Sequence, residues 1–387
     1  MRSNYILLEK EHWSQLALIG YIVTSSIAFQ AVAPIMLGAM VDELGFTPQL
    51  IGLTIAVTTF GVAIAGLIVP FIVERFGMLL LIRLGLATLI IVECFEAFTT
   101  DATTILIFRF VAGLAGGITY SAGLGAYAAL KQPIRGFSTY TIVFCIFSGL
   151  VLLALPYIMD WGSLRMGYFT LIGLSFIGWL LTPVFKPFIS KSKTRKIDTS
   201  IFQLLKHRNI IFTIVAYFAL QGGSVALFSY LERIGVERAF SKEFIGFVLS
   251  LVGFFGLAGA TLVTFVRDKI HPVRAVSIGF PFLFLSLFIL YSTNMPIAFF
   301  VAILFFGVAW GFVLPFYQGL QASYDTKGRI VSIGAFTNMM GQSAGPAMAA
   351  VLVSYTAFSE VIWISVVLYT LSILTVIPAI LGIYPRD

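Results

Sequence analysis

Arg109, Glu93 and Glu96 sit inside stretches that are otherwise largely apolar. Arg109 lies near the start of the block 104–129, and Glu93 and Glu96 lie near the end of the block before it. A guanidinium held in hydrocarbon costs several kcal/mol unless it meets protein, water or an opposite charge, so Arg109 must be paired or must line a polar passage. Counting about 1.5 Å per residue from the intervening loop, Glu93 and Arg109 reach similar depths on consecutive antiparallel helices, which makes Glu93 the expected partner. Intramembrane carboxyls recur in proton relays. Glu93 is therefore a candidate proton acceptor, with a static tie between two helices as the alternative. Arg109, Gly113, Gly116 and Tyr120 share one helical stripe, a candidate cavity wall, while snorkelling of Arg109 to an interface stays open.

Other chemistry is not signalled. No Gly-rich, Lys-containing phosphate loop is present, so ATP is not the expected energy source and no cofactor is expected. His12, His207 and His271 all fall at helix boundaries, and neither a metal cluster nor a nucleophile–histidine pair is placed inside a span. An enzyme is not expected. Cys94 and Cys145 both fall in apolar blocks and read as small buried hydrophobes.

The elements that must hold these residues follow from composition. Hydrophobic residues make up 59% of the chain and charged residues 11%, with a mean hydropathy of +1.01. Soluble domains carry roughly 25% charged residues, so a water-facing surface is excluded. Backbone polar groups in lipid must be satisfied internally, which leaves helices or closed barrels. Unbroken apolar runs such as 210–230 and 299–317 select helices. The hydropathy pattern predicts twelve transmembrane helices, at 15–41, 49–73, 78–98, 104–129, 137–159, 166–185, 209–231, 244–266, 274–292, 297–321, 329–356 and 361–383. The first block is too long for a signal-peptide core, so none is expected to be cleaved.

Of the 24 lysines and arginines, with Arg109 set aside inside a span, Arg165, Arg233, Arg238 and Lys242 fall on one side, and the other nineteen, counting Arg83 in the cytoplasmic end of the span 78–98, fall on the opposite side. The positive-inside rule then places both termini in the cytoplasm. Topology accounts for the net charge of +7, and no nucleic-acid partner is expected. The one long connection, 186–208, is basic and divides the chain into an N-terminal six-helix bundle, 1–185, and a C-terminal one, 209–387. Gly136 and Gly149 match Gly328 and Gly341 in spacing, Gly113 and Gly117 match Gly307 and Gly311, and Gln30 with Asp42–Gly45 matches Gln221 with Glu232–Gly235. Several matches in one order point to two parallel repeats. Such repeats recur in alternating-access transporters, with the site between them.

On these residues the chain resembles the major facilitator superfamily over nearly its whole length. Pro70-Phe71-Ile72-Val73-Glu74-Arg75-Phe76-Gly77 is similar to the family's loop motif after the second helix, with Glu74 in place of the usual Asp and Met78-Leu79 in place of a basic pair. Glu74 and Arg75 are the gating-loop candidates the resemblance implies, with a plain interfacial ion pair as the alternative. Arg109-Phe110-Val111-Ala112-Gly113-Leu114-Ala115-Gly116-Gly117 is the more specific match. The fifth-helix antiporter motif is missing its Gly-Pro core at 149–156. Gly341–Pro346 in the eleventh helix predicts a bend and close packing.

The resemblance implies an all-α integral membrane fold of two pseudo-symmetric six-helix bundles. It also implies a central cavity lined by the first, fourth, seventh and tenth helices. Gln30, Tyr120, Tyr217, Gln221, Ser224, Trp310, Tyr317 and Gln318 are then substrate-site candidates beside Arg109, and Asn338 and Gln342 of the eleventh helix join them. Interhelical hydrogen bonding is the competing role for each. The third helix is peripheral in such folds, which counts against direct substrate contact by Glu93. The implied function is secondary active transport of a small organic solute, aromatic or anionic, with the proton as a candidate coupling ion. A drug/proton efflux antiporter is the alternative, and a non-transporting receptor or lipid flippase would be another class. The expected setting is a bacterial inner (plasma) membrane, the expected partners are solute, lipid and protons, and the expected state is a monomer.

Overall fold

The computed structural model describes residues 13–128, 133–185, 207–266, 269–324, 329–353 and 357–382. All regular structure among them is helical. The helices are α1 Trp13–Ser26, α2 Ala28–Ala31, α3 Ala33–Leu44, α4 Pro48–Phe76, α5 Met78–Glu96, α6 Ala102–Ala128, α7 Pro133–Met159, α8 Ser163–Leu181, α9 Arg208–Glu237, α10 Lys242–Val266, α11 Pro272–Ser292, α12 Pro296–Tyr324, α13 Arg329–Val353 and α14 Val361–Leu381. A 3₁₀ turn, Phe358–Glu360, precedes α14. These follow the twelve expected crossings, ten of them by length and apolarity among the described residues. Most of the expected linker, 186–208, lies outside the described residues.

The first crossing is broken rather than continuous. Ser25 and Ser26 turn their hydroxyls back onto the carbonyls of Ile22 and Val23, an arrangement that bends helices. Pro34 has no N–H to offer Gln30, so the helix stops at Val32 and restarts with Pro34 in a first turn, where proline is tolerated. The break presents Phe29 and Gln30 on the short helix α2.

The chain divides into two compact units, residues 1–44 with 57–196, and residues 45–56 with 197–387. Helix α4 thus contributes its first turns to the second unit, where Tyr230 donates to the carbonyl of Pro48 and Ser343 to that of Ala56.

The two units repeat the same packing devices. In the first, an added methyl on Gly113 would lie 2.1 Å from the carbonyl oxygen of Thr58, and one on Gly117 2.7 Å from Cα of Val62. In the second, a methyl on Gly311 would lie 2.0 Å from the carbonyl oxygen of Gly256. Small residues let these helix backbones nearly touch, which drives helix association where lipid supplies no hydrophobic force. Ser175 of α8 bonds the carbonyl of Ser25 on α1 at 3.1 Å, and Ser365 of α14 bonds that of Gly223 on α9 at 2.8 Å. The sixth crossing is thus tied to the first, and the twelfth to the seventh, by serine-to-carbonyl bonds. Large apolar side chains such as Phe71, Phe95, Leu150 and Phe288 are exposed, as lipid-facing residues must be.

Candidate functional site

Arg109 is fully buried on α6 within the first unit. Its Nε donates to Oε2 of Glu96 at 2.7 Å, and Nη2 donates to the same oxygen. The other oxygen of Glu96 accepts the hydroxyl of Tyr168 on α8 at 2.8 Å. Glu93 stands farther off, with Oε1 3.7 Å from Nη2 of Arg109, and its buried Oε2 has no hydrogen-bond partner. The ring of Phe29 covers the guanidinium at 4.1 Å from Cζ, and the Tyr168 ring lies at 5.8 Å, so cation–π attraction adds to the ion pairs.

The expected order of partners is corrected here, since Glu96 rather than Glu93 makes the close pair with Arg109. Side chains on a helix tilt toward its N-terminus. Arg109 therefore reaches back toward the start of α6, while Glu96 at the end of α5 reaches inward to meet it. A depth count on Cα positions omits both displacements. Asp101 sets the start of α6, its Oδ2 accepting the backbone N–H of Thr104 at 2.7 Å and the Thr104 hydroxyl at 2.6 Å. The Thr104 hydroxyl first, and its N–H second, hold the Asp101 carboxyl below the usual carboxylate range.

Two cavities flank the cluster. One, of about 10 Å³, is lined by Ser26, Gln30, Thr58, Glu93 and Arg109 and has room for about one water. The other, of about 180 Å³, opens between the loop at 97–100 and the first turn of α8, with Glu43, Arg165, Tyr168 and Glu96 on its walls. Both carboxyl oxygens of Glu43 accept the N–H of Leu164, at 2.7 and 2.9 Å, at the start of α8, where the helix dipole favours a negative charge.

The stripe Arg109, Gly113, Gly116 and Tyr120 is not one open wall. Gly113 and Gly116 press against the carbonyls of Thr58 and Ser26, and the Tyr120 ring meets that of Tyr140 edge to face. Gln30 joins the Glu93 cavity. Glu74 and Arg75 are exposed in the last turn of α4, with Arg75 over the Phe76 ring at 5.5 Å. Gly77 follows at φ +78°, a conformation that suits glycine and separates α4 from α5.

The second unit gathers most of the remaining candidates. Gln221 of α9 donates to Oδ1 of Asn338 at 2.7 Å and accepts the indole N–H of Trp310 at 2.9 Å. Gln342 donates to the same Asn338 oxygen at 3.0 Å. Gln221 is buried, and Trp310, Asn338 and Gln342 are half-buried. Gln318 is exposed and donates to the Tyr217 hydroxyl at 3.4 Å. Ser224 and Tyr317 turn elsewhere: their hydroxyls bond Tyr369 at 3.0 Å and Ser372 at 2.7 Å on α14, inside the unit. Three residues on from Gln221, Ser224 is about 60° around the helix, enough to face a different neighbour.

Sequence reasoning missed Phe29, Tyr168 and Glu43. The first two are aromatic residues among many in apolar blocks, and only the helix break and the packing of α8 single them out. The spacing of Glu93 and Glu96, three apart on one helical face, was the available sign that both acids serve one guanidinium.

A profile of the Major Facilitator Superfamily matches residues 18–346. The chain belongs to that superfamily and is a membrane transporter of the secondary type. The solved structure of nucleoside transporter NupG is similar to it, with a TM-score of 0.72 and 14% identity, covering 98% of this chain and 100% of that one. A bacterial homologue of the human lysosomal transporter Spinster, in an inward-facing and unoccupied conformation, gives a TM-score of 0.71 and 10% identity, covering 97% and 95%. No curated protein matches the sequence.

Proposed function

We propose that this protein takes up a small aromatic organic solute by alternating access, driven by protons through Arg109, Glu93 and Glu96. The single observation that carries the proton is the buried Oε2 of Glu93, left without a partner beside a cation already matched by Glu96. One guanidinium and two carboxylates shielded from bulk solvent form a neutral group only when one carboxyl holds a proton, and uncompensated buried charge is costly. Glu96 accepts from Arg109 and Tyr168 and is the natural carboxylate. Glu93 is the natural acid, with the adjoining small cavity as its outlet.

The solute class rests on Gln221, Trp310, Asn338 and Gln342. Side-chain amides present donors and acceptors together, and a half-buried indole offers an apolar face, a combination that suits a planar heteroaromatic compound. Because the charge of Arg109 is met by two acids, a neutral solute is favoured over an anion. The name of one structural neighbour specifies nucleosides, and they belong in the first test panel. The charge asymmetry of the loops supports cytoplasmic termini in a plasma membrane, with the chain acting as a monomer.

The test is a thermal-shift screen of the purified chain against neutral nucleosides, aromatic carboxylates and organic cations. A compound bound only by the folded state raises the melting temperature. Neutral heteroaromatics are expected to lead the hits. A list dominated by cations contradicts the proposal.

A further inference from the structure

The cavity of about 180 Å³ between the 97–100 loop and the first turn of α8 has no part in solute binding as proposed, yet Glu96 and Tyr168 of the Arg109 cluster are among its walls. Glu43, Glu96, Thr99, Thr100, Arg165 and Tyr168 line it, a polar set around a space with room for several waters. Glu96 is itself almost wholly buried, so this cavity is where water comes nearest to it. The small cavity is lined by Glu93 and Arg109. The two acids that share Arg109 thus border different cavities, both inside the first unit.

From this arrangement we infer that the coupling proton enters the first unit through this vestibule and reaches Glu96, and leaves from Glu93 into the small cavity. This inference rests on the proton-coupled reading above. A hydronium in the vestibule gives its proton to Glu96: one O–H bond breaks on the water and one forms on Oε1, the oxygen that accepts from Tyr168. Arg109 then transfers its N–H groups from Glu96 to Glu93, already 3.7 Å away. The O–H bond of Glu93 breaks, and its proton passes to water in the small cavity. The cluster holds two protons between these steps and one before and after; transfer of the remaining proton from Glu96 to Glu93, as Arg109 returns its N–H groups to Glu96, restores the resting state with one proton taken in and one released.

Charged and titratable groups around the relay are few. Glu96 faces Arg109 from α6, Tyr168 from α8 and Glu93 from its own helix, with Phe29 closing the side toward α2. At the mouth, Glu43 is engaged by the Leu164 N–H, and Arg165 lies over the Phe98 ring at 5.6 Å. By the charge asymmetry of the loops this mouth faces away from the cytoplasm, the side from which protons drive uptake.

The test follows the carboxylic-acid C=O band of the full chain in lipid nanodiscs by infrared spectroscopy after a switch to D₂O. The exposed Cys94 and buried Cys145 are first replaced by serine, and Thr100→Cys, with Thr99→Cys as a second position, is then capped with a bulky methanethiosulfonate. The band is expected to be lost in Glu93→Gln, to exchange rapidly in the uncapped protein, and to lose that rapid exchange on capping at either position. Rapid exchange that survives capping at both positions overturns the vestibule route and leaves the proton site standing. A spectrum in which neither Glu93→Gln nor Glu96→Gln removes a band overturns the proton site, and the route with it.

Discussion

Arg109 and Glu96, thirteen residues apart on successive helices, are joined through two guanidinium nitrogens to one carboxylate oxygen, both side chains almost wholly buried. Removing one partner of a buried pair strands the other charge, at a cost of about 3–5 kcal/mol. Arg109→Met is therefore expected to lower stability by about that amount in thermal unfolding. Combining it with Glu96→Gln should restore part of the loss. Arg109→Lys keeps the charge but not the two-pronged donor and should fall between wild type and Arg109→Met.

Gly113 tests the close approach of α6 to α4. A methyl there would meet the Thr58 carbonyl at 2.1 Å, whereas one on Gly125 of the same helix would meet nothing within 4 Å. Gly113→Ala is expected to cost about 1–3 kcal/mol through forced backbone shifts. Gly125→Ala should leave the melting temperature unchanged or slightly higher, since alanine is the better helix former.

Trp310 tests the amide cluster. Its ring is the proposed contact for the solute, and its N–H holds Gln221 at 2.9 Å. Trp310→Ala should weaken binding of the leading heteroaromatic hit by about tenfold or more, equivalent to about 1.4 kcal/mol. Trp310→Phe keeps a ring and should retain more of the affinity, as measured by calorimetry.

The cap on α6 carries a pH dependence. The Asp101 carboxyl is held below its ordinary range by Thr104. Its stabilising contribution is therefore present above about pH 4 and is lost as the pH falls through the lowered value. Asp101→Asn caps without titrating. The melting-temperature advantage of wild type over Asp101→Asn should be seen near neutrality and vanish in acid.

The twelve crossings were legible because hydrocarbon imposes one strong rule, a long apolar run for each helix. The duplication was legible in glycine spacings, since a helix backbone that touches another tolerates no side chain. What those glycines touch was not legible: Gly113 and Gly116 read equally well as a cavity wall, and only packing shows the Thr58 and Ser26 carbonyls against them. The precedence of Glu96 over Glu93 turned on side-chain direction, which a residue count does not carry. The break of the first crossing needed Pro34, Ser25 and Ser26 together, each unremarked alone. Ser224 and Tyr317 were assigned by helix number to a cavity, yet their hydroxyls are engaged with α14 because one crossing presents several faces to several neighbours.

The central claim is that the proton shared by Arg109, Glu93 and Glu96 drives solute movement. Its most direct test is uptake of the leading thermal-shift hit, radiolabelled, into proteoliposomes with and without an inward proton gradient, comparing wild type with Glu93→Gln. Wild type is predicted to accumulate the compound above equilibrium only with the gradient, and Glu93→Gln to equilibrate it without accumulation. Gradient-driven accumulation by Glu93→Gln equal to that of wild type would contradict the account.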